Sequence, residues 1–301
     1  MSTTLDTEHP ATPLPLDVRS GGRVLRDRIA TVLVYLAFGL AMVPLVWILW
    51  SVVGKGWRLL VSAGWWTHSQ RNIIPDNVGG GAYHAIVGTL EQALVCAVIA
   101  VPLAVFTAIY LVEYGRGPLA RIVSFMVDIL TGIPSIVAAL FVYALWVTTF
   151  HLTRMGFAVS LALVLLMVPV VVRSTEEMLK LVPNELREAS YALGVPKWKT
   201  IARIVLPTAL GGIVTGVMLG LARVMGETAP LLILVQYAPG INTSLVDGPM
   251  AALPTMIRDA FGQPEAPAVQ RMWAAALTLI VIVLLLNIAG RFVARFSGVR
   301  K

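Results

Sequence analysis

The stretch Glu185–Pro207, ELREASYALGVPKWKTIARIVLP, decides the fold. It is a long polar segment between apolar spans, on a side rich in lysine and arginine. It carries Glu185, Arg187, Glu188, Lys197, Lys199 and Arg203. Leu186, Ala189, Leu193, Ile201, Ile204 and Val205 interrupt the charge at helical spacing. This predicts two short amphipathic helices broken at Gly194-Val195-Pro196. Glycine ends the first in a left-handed conformation, and Pro196 opens the second, where a missing N–H costs nothing. A solvated loop needs no apolar face. A helix-turn-helix of this kind suits a groove on another protein. It equally suits lipid headgroups, and the pattern alone leaves both readings open.

The surrounding chain is a membrane protein. Its 301 residues are 57% hydrophobic and 13% charged, with a mean hydropathy of +0.82. A soluble domain carries roughly a quarter of its residues charged. The single cysteine, Cys96, lies in an apolar run, so neither an internal disulfide framework nor a cysteine zinc site is available. The net charge of +7 is not a nucleic-acid signal, because most of the basic residues flank apolar spans, where they set orientation.

Residues 1–28 read as a disordered cytoplasmic tail: the start is polar, with Pro10, Pro13 and Pro15, and Arg23, Arg26 and Arg28 close it. The first apolar run begins too late and continues too long for a secretory signal. An apolar run of about 20 residues crosses the hydrocarbon, and the first such span is 29–53. Trp57, Trp65 and Trp66 follow, suited to the interface belt. A five-helix core occupies 84–296. Its spans are roughly 84–110 (with Pro102), 121–148 (with a bend at Pro134), 155–173, 208–235 and 272–292. Gly212, Gly216 and Gly220 recur every fourth residue and predict a close helix contact. Residues 236–271 form an external segment in which Leu253–Phe261 reads as a short helix.

Sixteen lysines and arginines fall on the side of the 185–207 segment and six on the other. The positive-inside rule makes the first side cytoplasmic. Both termini then face the cytoplasm, consistent with six spans in an all-α integral membrane fold.

Two places carry charge where charge is costly. Arg223 lies deep in the 208–235 span, where a lone arginine costs at least ~2.5–3.5 kcal/mol on insertion scales. Glu227 follows at i+4. The pair is either a structural ion pair that fixes packing or a wet-passage pair that meets an anion or switches partners. Arg173 closes the fourth span, with Glu176 and Glu177 one turn on; alone it reads as a snorkelling arginine. Asp128 is a further candidate partner for either arginine.

Glu188-Ala189-Ser190, then Gly194, then Ile204-Val205-Leu206-Pro207 resemble the EAA pattern of permease subunits in type I ABC importers, with Ser190 where a second alanine is usual. Arg223-Val224-Met225-Gly226-Glu227-Thr228-Ala229-Pro230-Leu231-Leu232 resembles the fifth-span motif of phosphate importer permeases of the Pst type. Gly132-Ile133-Pro134-Ser135-Ile136-Val137, His84–Leu90 and Leu253–Ile257 resemble further stretches of that family, on its PstA-like side. The resemblance covers nearly everything from residue 80 onward.

The resemblance implies a MetI-like fold and one permease half of an ATP-driven phosphate importer in the bacterial cell membrane. It implies an ATPase-coupling role for Glu185, Glu188, Ala189, Gly194 and Pro207. It implies a transport or gating role for Arg173, Glu176, Arg223 and Glu227. The partners implied are a PstC-like permease, two copies of a PstB-like ATPase and an external PstS-like phosphate-binding protein, within membrane lipid; no cofactor is implied. The chain lacks the G-x-x-x-x-G-K-[ST] loop, so ATP hydrolysis is expected of a partner and no enzyme activity of this chain. A permease for another oxyanion, sulfate or molybdate, has the same coupling segment. An intramembrane hydrolase would need a nucleophile and base or metal ligands in the membrane, and neither H-E-x-x-H nor G-x-S-x-G occurs. A secondary transporter predicts internal repeats with broken helices, and no convincing repeat is present.

Overall fold

The computed structural model of the chain describes residues 21–297. All the regular structure among them is helical. They fall into two compact units that divide between Ser51 and Val52. Most of the expected tail lies outside the described residues. Its last part is helical, because α1 spans Gly21–Leu60 and therefore starts before position 28. Arg26 and Arg28 are good helix formers, and Thr31 Oγ1 donates to the Asp27 carbonyl at 2.7 Å.

The larger unit continues with α2 (Ala63–Thr67), α3 (Tyr83–Ile109), α4 (Pro118–Gly132), α5 (Ser135–Tyr143) and α6 (Gly156–Lys180). The expected helix-turn-helix is α7 (Asn184–Ala192) and α8 (Lys197–Thr200). Then come α9 (Leu206–Met225), α10 (Ala229–Leu234), α11 (Leu253–Phe261) and α12 (Ala266–Ser297). Wide π-helical turns extend α3 through Tyr110–Tyr114 and α5 through Ala144–Thr149, and join α8 to α9 through Ile201–Val205.

Five helical stretches are long and apolar enough to cross a membrane, and α4 with α5 makes a sixth if the bent pair is one span. Side-chain contacts show that it is one. Ser160 Oγ donates to the Gln92 carbonyl at 3.2 Å, Cys96 Sγ meets Met167 Sδ at 3.7 Å, and Arg187 reaches Glu113 at 2.9 Å. The first two join α3 to α6, the third lies just past the ends of both, and the numbers rise together along the two segments, so α3 and α6 run parallel and the chain between them must return across the whole thickness. The return carries the bend expected at Pro134 within 121–148, and the bend is sharp. It breaks by 107° at Ile133-Pro134, because Pro134 supplies no N–H to continue the ladder.

The glycine stripe on α9 lies against α6. A Cβ at Gly212 would collide with Met178, one at Gly216 with Ser174, and one at Gly220 would press on Met167 and Val171. These contacts run in reverse order, so α9 is antiparallel to α6. α12 in turn crosses α9, with Gly290 against Met218. The core these helices share is aliphatic, built on Ala100, Ala104, Met167, Val171, Leu179 and Ile213. Trp65 departs from the interface-belt expectation. It is fully buried, and its indole N–H donates to Thr278 Oγ1 at 2.8 Å. An indole hidden from water needs such a partner, and α12 supplies it.

Candidate functional site

The polar segment between α6 and α9 folds into a tight bracket. Gly194 takes φ +75° and its N–H donates to the Tyr191 carbonyl at 2.9 Å. The Val195 N–H donates to the Ser190 carbonyl at 3.1 Å. Glycine is favoured at such a left-handed helix end because it has no Cβ to crowd the carbonyl. Ser190 and Thr200 hydroxyls, both buried, share a hydrogen bond of 2.8 Å that locks α7 to α8. The serine in place of the usual alanine therefore has a structural use here.

The apolar stripe on this bracket splits. Ile201 and Val205 are buried in the core. Leu186, Ala189 and Leu193 are exposed, beside Tyr191 and Trp198, and Leu193 is 83% exposed. Glu185 and Glu188 are exposed on the same short helix. Pro207 is half-buried in the first turn of α9. Uncovered leucine, tyrosine and tryptophan rimmed by charge are a surface suited to contact with another protein.

The base of the bracket holds a pair that the sequence reading passed over. Glu113, in the wide turn that ends α3, accepts from Arg187 Nε at 3.1 Å and Nη2 at 2.9 Å. Their side chains are 6% and 12% exposed. Arg187 also donates to the Val182 and Leu179 carbonyls at 2.6 and 2.9 Å, satisfying acceptors at the end of α6. Lys197 Nζ donates to the Glu113 carbonyl and stands 4.6 Å from the Tyr114 ring. The available signal was an acid, Glu113, ending an apolar span beside a basic loop.

The two arginine–carboxylate sets occupy different levels. Arg173 lies inside α6 rather than at its end, since the helix runs on to Lys180. Its Nη1 donates to Glu176 Oε2 at 2.6 Å. Its Nη2 donates to Asp128 Oδ1, and to the Ser124 hydroxyl and carbonyl at 3.1 and 3.2 Å. Arg173 thus ties α6 to α4. Glu176 is 6% exposed and Asp128 64%. Of the two partners weighed for Asp128, the structure selects Arg173.

Arg223 and Glu227 do come together, with Nε 4.0 Å from Oε1, but not along one continuous helix. α9 stops at Met225, and Glu227 lies in the break before α10. Gly226 makes a tight turn, its N–H donating to the Arg223 carbonyl at 3.2 Å, and Pro230 has no N–H to carry the helix through. Arg223 therefore sits in the last turn of α9, where its charge favours the carbonyl end of the helix dipole. Its side chain is 50% exposed, and that of Glu227 19%. Among the described residues no hydrogen bond or ion pair joins this pair to Arg173. Gly216, which meets Ser174, precedes Arg223 by seven residues. At about 1.5 Å per residue that separates the two levels by roughly 10 Å along the helix.

Residues 100–298 match the model of the family described as binding-protein-dependent transport system inner membrane component. The phosphate transport system permease protein PstA 1 of Mycobacterium tuberculosis is 52% identical over 98% of this chain and 96% of its own length. PstA of Mycobacterium leprae is 54% identical over 99% of both chains. The chain belongs to the PstA permease family. Among solved structures, a chain of the MetNI methionine ABC transporter in an inward-facing conformation superposes with a TM-score of 0.56 at 20% identity. The overlap covers 72% of this chain and 94% of that one, and it shows the shared MetI-like fold. The protein is thus a multi-pass inner-membrane permease of the ABC transporter type.

Proposed function

We propose that this chain is one permease half of an ATP-driven phosphate importer, coupled to its ATPase through residues 185–207. The uncovered face of α7 and α8 carries the reading. Leu186, Tyr191, Leu193 and Trp198 project from a bracket whose own core contacts lie on its other side. An ATPase cleft that accepted this face would move α6 and α9 together, because the bracket joins them. Glu185, Glu188 and Ala189 belong to that face, Gly194 sets its angle, and Pro207 starts the helix that follows. The substrate class is supported by relatives that are named for phosphate transport at 52–54% identity.

Arg223 is the candidate for transient contact with the anion. Half of its surface is open and its carboxylate partner stands at 4.0 Å, so its fork is the freer of the two. A planar guanidinium gives two parallel hydrogen bonds to an oxyanion. Arg173 is already committed to Glu176, Asp128 and Ser124, which suits a gating tie between α4 and α6 that exchanges partners as the helices move. Alternating access then follows from two arrangements of the packed helices.

The partners proposed are a PstC-like permease, two PstB-like ATPases and a PstS-like external binding protein, with ATP hydrolysis residing in the ATPases. The domain plan proposed is a cytoplasmic tail to residue 28, an added first span 29–53 and a core 84–296. A cytoplasmic position for both termini is supported by the excess of basic residues on the bracket side. Radiolabelled uptake in cells lacking this chain and in cells with it restored tests the reading. Restored phosphate uptake, lost on ATP depletion, is the expected result. Restored sulfate uptake instead would move the substrate assignment to another oxyanion.

A further inference from the structure

α3 has no chain connection to the bracket; its last turn is some seventy residues earlier in sequence. The bracket reaches α6 and α9 through the backbone. It reaches α3 through polar contacts that converge on Glu113. The Glu113 carboxylate takes two donors from Arg187 on α7, at 2.9 and 3.1 Å, and its carbonyl takes Lys197 of α8. One residue therefore holds both arms of the bracket. Arg187 extends the junction to the end of α6 through the Leu179 and Val182 carbonyls.

The junction is built unlike a simple packing contact. A buried ion pair adds little stability over well-packed apolar residues of the same volume, because desolvation offsets the attraction. Its distinct property is direction. Two donors on one carboxylate oxygen, with a lysine on the adjoining carbonyl, resist sliding in a way that methyl groups do not. The backbone is also specialised there. Glu113 sits in a π-helical turn, Tyr110–Tyr114, and a second such turn, Ile201–Val205, lies where the bracket rejoins α9. Such turns are rare and are frequent at functional sites.

We propose that Glu113 is a positioning residue that makes α3 move with the coupling bracket, so that ATPase motion reaches three spanning helices rather than two. The proposal rests on the reading of 185–207 as the ATPase-docking segment. In this account α6 and α9 are driven through the chain, and α3 through Glu113, Arg187 and Lys197. Loss of the junction leaves docking and hydrolysis in place and uncouples part of the passage.

The test uses the assembled importer in lipid vesicles, with phosphate moved per ATP hydrolysed as the readout. In Glu113→Gln the ATPase should remain bound while the ratio falls roughly two- to thirtyfold, the range over which single residues alter coupling. The double variant Glu113→Arg with Arg187→Glu should recover part of the ratio. Lys197→Met keeps the carboxylate pair, loses the carbonyl contact, and should lower the ratio even where Glu113→Gln fails to assemble. A purely structural junction would yield fewer complexes with an unchanged ratio per complex, and that result in either single variant overturns the proposal. Leu193→Asp serves as the docking control and should release the ATPase. If it retains both the ATPase and the ratio, the docking reading falls and takes the proposal with it.

Discussion

Gly194 gives a quantitative test of the coupling bracket. It takes φ +75°, and nothing lies within 4 Å of where its Cβ would stand. A Cβ there meets no neighbour, so for alanine the penalty is in the backbone alone. For an L-residue the left-handed region costs roughly 1–2 kcal/mol. Alanine at 194 should therefore shift the equilibrium of the turn by about 5- to 30-fold against the observed angle between α7 and α8. Asparagine tolerates the left-handed region through its short polar side chain, and should stay close to wild type. Proline cannot reach the angle, since its ring holds φ near −65°. It also removes the N–H that bonds the Tyr191 carbonyl at 2.9 Å. Gly194→Pro should abolish both ATPase retention and uptake. The assay is phosphate uptake and ATPase co-purification at matched protein levels, with the expected order glycine and asparagine, then alanine, then proline. Wild-type uptake by Gly194→Pro would refute the reasoning, because the bracket would then not need its geometry.

Arg173→Ala should cost about 3–5 kcal/mol, because it leaves the buried Glu176 carboxylate without its cation; thermal unfolding of the purified protein measures this. Asp128→Asn should cost about 0–1 kcal/mol by the same measurement, since that carboxylate is 64% exposed and solvent screens its pair. Arg223→Gln with Glu227→Gln should change thermal stability by a similarly small amount, given the open, 4.0 Å geometry, while phosphate uptake falls sharply. Normal uptake in that double variant would reduce the pair to packing. Gly216→Leu should destabilise by about 1–3 kcal/mol as α9 is forced away from Ser174, seen as a lower unfolding temperature and reduced accumulation in the membrane.

Features with a short sequence range were legible in the sequence alone. The break at Gly194-Val195-Pro196 follows from two residues with special backbone chemistry. The close helix contact made by α9 follows from three glycines at helical spacing, though not that α6 is the partner, and α11 was readable as the short helix Leu253–Phe261. Features that depend on partners far along the chain were not readable. Glu113 and Arg187 are 74 residues apart, and no periodicity links them. The end of α9 at Met225 was hidden because, past Glu227 and Thr228, the sequence is apolar again from Ala229 through Leu234, so hydropathy continues where the hydrogen-bond ladder does not. Gly226 and Pro230 were the local signals for that break. Trp65 looks like an interfacial tryptophan by composition, and only the position of Thr278 makes it a core residue.

The decisive measurement is phosphate accumulation by vesicles containing the complete importer with this chain, with and without ATP, beside sulfate. The account predicts phosphate accumulation that requires ATP and the external binding protein, and no sulfate accumulation. Equal accumulation of sulfate, or phosphate entry that persists without ATP, would contradict it.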